Sequence, residues 1–590
     1  MRYIPQTLLL ATCAALSLAA MAHADNSALP FAAAAKSGGK WGVINRTGKV
    51  VIPIMYDKVA LSLADEKHRA ADLEGDGRKN FIEVSQGSLR GFYNREGKQI
   101  VPLSYKSRSV WNEGYLAVQG ENKKIGFYKN DGTKIAPFVY DEVSDFENGH
   151  AIVKSGSRYG YINGSGKEIA PVYKEARYFE YGAAPVLDEA KNLWGVINEK
   201  GKYIAQPSYK ATGPSYSDGL LAVQNKNTLW GFIDTEGNEV VKPIYKAVIP
   251  RFSEGYTAVQ EENNLWGFID AKGNRTADAK YKAVYTPFSE GLAGVKTTDG
   301  NGYVTPDGTL AFMADYDKLY PFDDGLAEVR EGVSRDMVRK RGLPISIGIG
   351  WGWGHWFYPH HHHFGLGIGF PVWGWDPWYD DYYYERMPVV EAKRGYIDHD
   401  GKVIASTSND VVYPMTDKGV LVKNDKLYGW ISRDGKYTVH VIYKNLIPLT
   451  EENVLLAQKD DQLWGLIAMD DGKELTSFSF DELQDAKSGF IAYKEGKKWG
   501  LMDTGGKRLT KAMYNKIGKG SDGRIPAKGD DGWIYLDENG REAFRLTGKV
   551  QDMKPFLHGL GAVKINGKWG LVTPDGTFAV TPAYDDLRPL

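Results

Sequence analysis

The chain has 590 residues, with 73 lysines and arginines against 74 aspartates and glutamates and a formal net charge of −1. Its length is several times that of a common domain, which predicts several modules or an array of repeats. The balanced charge argues against a general nucleic-acid binder and against a polybasic membrane anchor. Aromatic residues make up 13% of the chain and charged residues 25%, a composition that predicts a folded protein rather than a disordered one.

The N-terminus has the pattern of a secretory signal. Residues 1–24 combine a positive charge at Arg2, an apolar stretch from Leu8 to Met21 and the small-x-small triplet Ala22-His23-Ala24. The apolar stretch is too short for a comfortable membrane span, and no later stretch approaches the required length of about 20 apolar residues. We therefore predict a periplasmic or secreted protein that has no transmembrane helix after removal of the signal.

Cys13, the only cysteine, lies inside this segment. The predicted mature chain therefore has no thiol, and with it no disulfide and no thiolate metal site. As an alternative, Leu10-Ala11-Thr12-Cys13 resembles a lipoprotein cleavage box. In that case Cys13 would carry a lipid and anchor the protein as an outer-membrane lipoprotein.

An aromatic-Gly-apolar motif recurs through most of the chain. Trp41-Gly42 and Trp230-Gly231 are clear copies, and successive motif glycines between Gly91 and Gly302 are 34 to 36 residues apart. The fourteen motif glycines are Gly42, Gly91, Gly126, Gly160, Gly195, Gly231, Gly267, Gly302, Gly395, Gly429, Gly465, Gly500, Gly532 and Gly570. A fixed period of this length is the signature of a repeat architecture.

Each repeat predicts short antiparallel strands. A second Gly follows the motif Gly by six residues in most copies, as Gly237 follows Gly231, and a hairpin turn needs a residue at positive φ, which Gly adopts without steric cost. The alternating sequence from Phe252 to Val259 predicts a further strand, which makes about three strands per unit. We expect the motif Trp to pack against the adjoining copy as core, because the Gly beside it allows close approach.

The repeated Trp-Gly pair resembles the WG-repeat family, and the resemblance covers about residues 41–330 and 394–590. The family is bacterial, often exported and without a well-defined activity, so the resemblance implies a β-rich repeat scaffold. We predict an all-β chain of tandem antiparallel β-hairpin or meander repeats of about 35 residues that form an elongated twisted array. One or two propeller-like rings are the alternative, although propeller blades usually take about 40–45 residues.

The predicted organisation has four parts. Residues 1–24 are the signal peptide, residues 25–330 hold repeats 1–8, residues 331–393 form an insertion, and residues 394–590 hold repeats 9–14. A shorter interruption, Asp72 to Gly77 with Glu83 in the last ligand position, nearly matches a calcium loop. Its ligand pattern is incomplete and no helices flank it, so we predict a solvated loop there.

The insertion is rich in Gly, Trp, Tyr and His, and its centre, residues 343–384, has neither Lys nor Arg. Three interpretations remain open: a metal site, a surface that binds a membrane, an envelope protein or a glycan, and a low-complexity loop. The candidate metal ligands are His355, His360, His361, His362 and His363. The candidate binding residues are Trp351, Trp353, Trp356, Trp373, Trp375 and Trp378.

No catalytic signature accompanies the repeats: the sequence has no nucleophile elbow, no phosphate loop, no H-E-x-x-H motif and no dinucleotide fingerprint. We therefore predict a protein that is not an enzyme. The leading hypothesis is an exported β-repeat scaffold that mediates protein–protein interaction in the cell envelope. The alternative is an envelope protein that binds a metal or a glycan through the insertion, and a divalent metal at the histidines is the only cofactor considered.

Overall fold

The computed structural model describes residues 33–61, 81–94, 96–105, 111–129, 131–332, 392–459 and 462–589. The predicted signal with Cys13, the loop from Asp72 to Gly77, and the candidate Trp and His residues of the insertion lie outside these described residues. Within them the chain consists of strands and turns and contains no helix. The predicted all-β class of tandem antiparallel repeats is confirmed.

Fifty-four strands form fourteen antiparallel sheets, of which twelve have four strands and two have three. Sheet 1 consists of β1 (Ala33–Ser37), β2 (Lys40–Ile44), β3 (Val50–Tyr56) and the C-terminal β54 (Asp586–Pro589); sheet 2 of β4 (Lys58–Leu61), β5 (Phe81–Gln86), β6 (Leu89–Asn94) and β7 (Gln99–Tyr105); and sheet 3 of β8 (Trp111–Asn112), β9 (Tyr115–Gln119), β10 (Ile125–Lys129) and β11 (Lys134–Tyr140). Sheet 4 consists of β12 (Glu142–Glu147), β13 (His150–Ser155), β14 (Arg158–Asn163) and β15 (Glu168–Tyr173); and sheet 5 of β16 (Glu175–Ala176), β17 (Ala183–Leu187), β18 (Trp194–Asn198) and β19 (Tyr203–Tyr209). Sheet 6 consists of β20 (Ala211–Ser217), β21 (Leu220–Gln224), β22 (Trp230–Ile233) and β23 (Glu239–Tyr245); and sheet 7 of β24 (Ala247–Val248), β25 (Tyr256–Gln260), β26 (Trp266–Asp270) and β27 (Arg275–Tyr281).

The second half of the chain continues the same pattern. Sheet 8 consists of β28 (Ala283–Val284), β29 (Ala293–Lys296), β30 (Asn301–Val304) and β31 (Leu310–Met313); sheet 9 of β32 (Lys318–Asp323), β33 (Leu326–Glu331), β34 (Lys393–Asp398) and β35 (Val403–Ala405); and sheet 10 of β36 (Val411–Val412), β37 (Gly419–Asn424), β38 (Leu427–Ser432) and β39 (Tyr437–Tyr443). Sheet 11 consists of β40 (Asn445–Leu449), β41 (Val454–Gln458) and β42 (Trp464–Ala468); and sheet 12 of β43 (Glu482–Lys487), β44 (Phe490–Glu495) and β45 (Lys498–Asp503). Sheet 13 consists of β46 (Lys516–Ile517), β47 (Ile525–Gly529), β48 (Gly532–Leu536) and β49 (Glu542–Arg545); and sheet 14 of β50 (Val550–Leu557), β51 (Leu560–Ile565), β52 (Lys568–Val572) and β53 (Phe578–Tyr584).

Most sheets are meanders of four strands, one more than the sequence predicts. The strand that the sequence misses is the first of each sheet, which in several sheets has only two residues, as in β24 (Ala247–Val248). Two residues are too few to show the alternation by which a strand is recognised. Sheet 1 takes its first strand from the other end of the chain, because β54 pairs with β1 in the register Ala35↔Leu587.

The fourteen sheets form a closed ring. Each of fourteen apolar clusters joins one sheet to the next, as Val43 and Ile52 of sheet 1 pack with Ile82 and Val84 of sheet 2. The last cluster joins sheet 14 back to sheet 1 and contains the fully buried Leu587. An open row of fourteen sheets would end in an uncovered face at each end. Of the two predicted assemblies, the structure has the ring, and the elongated open array is wrong.

The motif Gly lies where the third and fourth strands of a sheet approach most closely. A Cβ added to Gly231 would be 2.3 Å from the carbonyl oxygen of Val241 on the neighbouring strand. The register between these strands shifts on either side of this position. The Gly is therefore required by contact within its own sheet.

The motif Trp is a core residue, as the sequence predicts. Trp569 is 6% exposed and packs in the cluster between sheets 14 and 1, with the ammonium of Lys554 4.2 Å from its ring centroid. Trp266 is half-buried and packs against the cluster between sheets 7 and 8. The flat ring of Trp569 covers the junction between sheets while a cation covers its other side.

In sheet 13 the motif does not lie where the sequence places it. The residue in register with the motif position is Ile534, which pairs with Ala527 as Gly570 pairs with Val563 in sheet 14. Gly532 lies two residues earlier, and a Cβ added there would have no neighbour within 4 Å. The assignment of Gly532 as a motif glycine is therefore wrong. The motif glycine follows Trp569 in sheet 14, and the residue that follows Trp533 in sheet 13 is Ile534.

Candidate functional site

Alternate turns of a meander lie at the same end of its sheet, so the turns after the first and the third strand share one face of the ring. Backbone hydrogen bonds join these two turns within a sheet, for example from Gly164 N–H to the carbonyl of Gly149 and from Ala271 N–H to the carbonyl of Gly255. We call this surface the turn face. The turns after the second strand lie on the opposite face.

The first turns of the turn face share one backbone conformation but differ in their side chains. In nine of them a residue with φ between 49° and 53° precedes a Gly that also has positive φ, the geometry of a two-residue type I′ hairpin. We call the residue before the Gly the tip residue. The nine tip residues are Glu113, Asn148, Tyr181, Asp218, Glu254, Glu290, Asp324, Asp522 and His558. Six of the nine carry a carboxylate, and none carries a lysine or arginine.

Some of these carboxylates connect neighbouring sheets. The two oxygens of Glu254 accept hydrogen bonds from Glu290 N–H at 2.7 Å and from Gly291 N–H at 2.9 Å, one sheet further on. Glu113 contacts Asn148 N–H and Gly149 N–H in the same way, both at 2.8 Å. The carboxylate thus satisfies the two amides that a type I′ turn points outward, and it fixes the spacing of the turns around the ring.

Glu180 is a carboxylate on this face whose acidity is strongly altered. It precedes the tip residue Tyr181 and accepts a hydrogen bond from Tyr216 N–H at 2.5 Å. Burial raises the pKa of Glu180 to about 7, with a smaller contribution from the nearby charge of Glu147 and an opposing one from the Tyr216 amide. Tyr181 itself is 67% exposed, and it is the only tyrosine among the nine tip residues.

Two open grooves lie between sheets of the ring. One, of about 570 Å³, lies between sheets 7 and 8 and is lined by Tyr256, Thr276, Thr305, Pro306, Asp307 and Thr309. The other, of about 300 Å³, lies between sheets 8 and 9 and is lined by Met313, Ala314, Asp315, Tyr316, Glu331, Ile397 and Gly401. Hydroxyl groups, carboxylates and apolar side chains line them.

The insertion begins and ends in one hairpin. β33 and β34 pair with each other from Leu326↔Asp398 to Glu331↔Lys393, so the strands on the two sides of the insertion belong to sheet 9. Residues 333–391 connect them at the end of the sheet opposite to the turn face. The candidate Trp and His residues remain predictions, because they lie in the part that the structure does not describe.

The described residues show where the other candidate ligands lie. Glu83 belongs to β5 and its carboxylate pairs with Arg90 at 2.5 Å. His399 Nε2 lies 3.1 Å from the carboxylate of Glu290, and the ring of His150 packs 4.4 Å from that of Phe179. Across the described ranges no group of three or more His, Cys, Asp or Glu is arranged to hold a metal. No helix there is long and apolar enough to cross a membrane.

A family model described as "WG containing repeat" matches ten stretches that together make up more than half of the chain. The chain belongs to this family. The matched stretches are residues 41–61, 91–124, 125–159, 159–191, 194–228, 230–265, 266–301, 302–332, 464–499 and 535–569. A stretch such as 230–265 starts at the third strand of one sheet and ends after the second strand of the next. The sequence repeat is therefore offset from the sheet by two strands.

Comparison with other proteins adds little beyond the family. No curated protein matches the chain. Similar solved structures include PorZ, described as a bacterial surface component of the type-IX secretion system of Porphyromonas gingivalis, with 10% identity, 88% of this chain and 81% of that chain covered and a TM-score of 0.18. BamB from Moraxella catarrhalis has 10% identity, coverages of 47% and 89% and a TM-score of 0.21. At these scores the likenesses carry no argument about function.

The tip residues are the part of this surface that sequence reasoning missed. The signal was present, since the stretch Phe252-Ser253-Glu254-Gly255 recurs along the chain with Glu, Asp, Asn, Tyr or His before the Gly. That stretch indicates a strand from its alternation, but the alternation does not show that successive tips lie side by side on one face.

Proposed function

We propose that this protein is a non-enzymatic, exported scaffold of the cell envelope that binds protein partners through the turn face. The observation that carries the proposal is the combination of a constant backbone with varied tip residues. Nine first turns share one conformation, while their tips include carboxylate, amide, phenol and imidazole groups. Recognition surfaces are commonly built in this way, with variable loops held by a rigid repeated frame.

The charge of the tips indicates the chemistry of the partner. Six of the nine tips are Asp or Glu, so the complementary surface is one that presents lysines and arginines. Such complementarity raises the association rate and weakens as salt screens it. Export, which the N-terminal pattern predicts, supports an envelope partner.

The test is capture of partners from an envelope extract by the full exported protein, followed by mass spectrometry. In the variant Tyr181→Ser with Asp218→Lys, two tips change without touching the bonds that Glu254 and Glu113 make. The matched control is Lys226→Glu with Glu262→Lys, two exposed residues in second turns on the opposite face. We expect the tip variant to lose a partner that the control retains, and the captured amount to fall about tenfold between low and moderate salt.

The same experiment separates this proposal from the alternative that the insertion binds a metal or a glycan. A partner that is captured equally by the tip variant but lost when residues 343–384 are removed would place binding on the insertion and contradict the turn-face proposal. A partner lost in neither variant would contradict both.

A further inference from the structure

Exposed apolar side chains lie on the fourth strands of three consecutive sheets. The fourth strands of sheets 8, 9 and 10 carry large apolar groups that are 41 to 56% exposed. We call this set the apolar rim: Leu310, Met313, Val403, Tyr437 and Ile442. Among the other fourth strands, that of sheet 1 carries two exposed large apolar residues, Val50 and Met55, and those of sheets 3, 4, 6 and 14 carry one each: Val139, Val172, Ile244 and Phe578. Grouped exposed apolar side chains mark a surface that another segment covers.

The backbone of the rim is also open. Each fourth strand is the last in its sheet, so one of its sides has no neighbouring strand among the described residues. In sheets 1, 3 and 6 a proline, Pro53, Pro137 or Pro243, lies within this strand and hinders the addition of another strand. β31, β35 and β39 contain no proline. The rim strands, like β27 and β49, therefore lack the proline that hinders strand addition at the other fourth strands.

A groove connects the rim to the start of the insertion. The groove of about 300 Å³ between sheets 8 and 9 is lined by Met313 of the rim and by Glu331, the last residue of β33. The described chain stops one residue later, at Gly332, and resumes at Ala392. The insertion thus starts at one end of the groove.

The chemistry and the tether of the insertion match this surface. Residues 343–384 contain six tryptophans and no Lys or Arg. They therefore offer apolar side chains that can pack against the exposed side chains of the rim. They start 11 residues after Gly332 and end 8 residues before Ala392, and an extended chain of that length reaches about 25–35 Å. A short tether gives an effective concentration of about 1 mM, so even weak affinity keeps such a segment bound.

We propose that the apolar rim and its groove bind the chain's own residues 343–384. This inference does not rest on the proposed function, because it concerns the outer edge of sheets 8 to 10 and not the turn face. A second copy of the chain and a foreign peptide are the other occupants that the experiment distinguishes.

Hydrogen exchange with mass spectrometry tests the proposal on the full exported protein and on a variant in which a Gly-Ser linker of equal length replaces residues 343–384. We expect exchange in β31, β35 and β39 to become about tenfold faster in the variant. Exchange in β11, β15 and β23, which carry the isolated Val139, Val172 and Ile244, should be unchanged. Equal exchange of the three rim strands in the two proteins overturns the proposal.

A second variant keeps the test decisive if the linker loosens the whole ring. Met313→Ser with Ile442→Ser in the full chain should speed exchange within residues 343–384 and shift the tryptophan fluorescence to longer wavelength. The control, Val139→Ser with Ile244→Ser, should do neither. An insertion that exchanges as in the unaltered protein, or rim protection that disappears on dilution together with a dimer in light scattering, overturns the proposal.

Discussion

At the scale of single residues, the glycine of each third turn meets two requirements at once. Gly237 has φ of +86°, and a Cβ at that position would be 2.7 Å from the carbonyl oxygen of Ile204 on the preceding sheet. The turn therefore docks on the neighbouring backbone with no room for a side chain. The sequence predicts the first requirement from the hairpin, but the second is visible only when the sheets are adjacent.

Replacement of Gly237 by Ala should lower the free energy of unfolding by about 2–4 kcal/mol, because a strained φ adds to a steric conflict with Ile204. The control is Gly219→Ala, where φ is +75° but a Cβ has no neighbour within 4 Å. We expect a loss of about 1 kcal/mol there, from the strain alone. Denaturant unfolding of the two variants measures the difference, and equal losses would show that the contact between sheets is unimportant.

Glu180 makes stability depend on pH. Its pKa is raised from the ordinary value of 4.5 to about 7 by burial, so the folded state holds a proton that the unfolded state releases between these values. For an acid with a raised pKa the stabilisation is present below pH 4.5 and disappears as the pH rises to 7. We therefore expect Glu180→Gln to raise the melting temperature relative to the unaltered protein at pH 8 but not at pH 4.5.

A change in melting temperature of the same size at both pH values would contradict the assignment of this pH dependence to Glu180. The control variant is Glu262→Gln, which removes an exposed carboxylate on the opposite face.

At the scale of elements, the first turn shows how one repeat stabilises the next. Glu254 in the turn of sheet 7 accepts hydrogen bonds from two amides in the turn of sheet 8. This pair of hydrogen bonds resembles the capping of a helix N-terminus, since a side-chain carboxylate accepts from backbone amides that have no acceptor within the turn itself. Because the donors and the acceptor are 36 and 37 residues apart, the period of the repeat must match the spacing of the sheets.

Replacement of Glu254 by Ala should cost about 1–2 kcal/mol, since two amides lose a charged acceptor. Exchange of the amide hydrogens of Glu290 and Gly291 should become faster, and hydrogen exchange resolves this effect locally. Asp218→Ala is the matched control, because among the described residues Asp218 makes no corresponding pair of bonds. Faster exchange at Glu290 in the control as well would contradict the capping role.

At the scale of the whole molecule, one short strand closes the ring. Leu587 of β54 is fully buried between sheets 14 and 1, among Ala33, Ala35 and Leu571. In addition, Arg46 of sheet 1 donates a hydrogen bond of 2.7 Å to the carbonyl of His558 in sheet 14. Closure removes the two uncovered end faces that a row of sheets would expose, and it joins the two ends of the chain in a single sheet.

Replacement of Leu587 by Ser should destabilise the ring by about 3–5 kcal/mol, because it removes buried apolar volume and adds a buried hydroxyl. We expect an increase in the radius of gyration measured by X-ray scattering, as sheet 1 separates from sheet 14. The control is Leu557→Ser, since Leu557 is 40% exposed and its loss should leave both measurements nearly unchanged. An unaltered radius in the Leu587 variant would mean that the ring stays closed without β54.

The repeat, the hairpin with its glycine and the core role of the Trp could all be predicted, because each depends on residues close in sequence. Trp569 and Gly237 take the predicted roles for this reason. The same local reasoning fails at Gly532, because the motif position in sheet 13 is Ile534, two residues later. It also fails at the first strands that have only two residues. The tip residues could be recognised as turns, but not as neighbours on one surface.

The sequence by itself determined the all-β class, the unit of about 35 residues and membership of the WG-repeat family, since periodicity and turn chemistry are local properties. Only the tertiary structure decided that fourteen sheets close into a ring and that their first turns form one face. Closure depends on the small rotation between successive sheets, summed over the whole chain, and on the pairing of Ala35 with Leu587. No local pattern encodes a contact between residues at opposite ends of the chain, so the open array and the ring could not be distinguished until the sheets were in place.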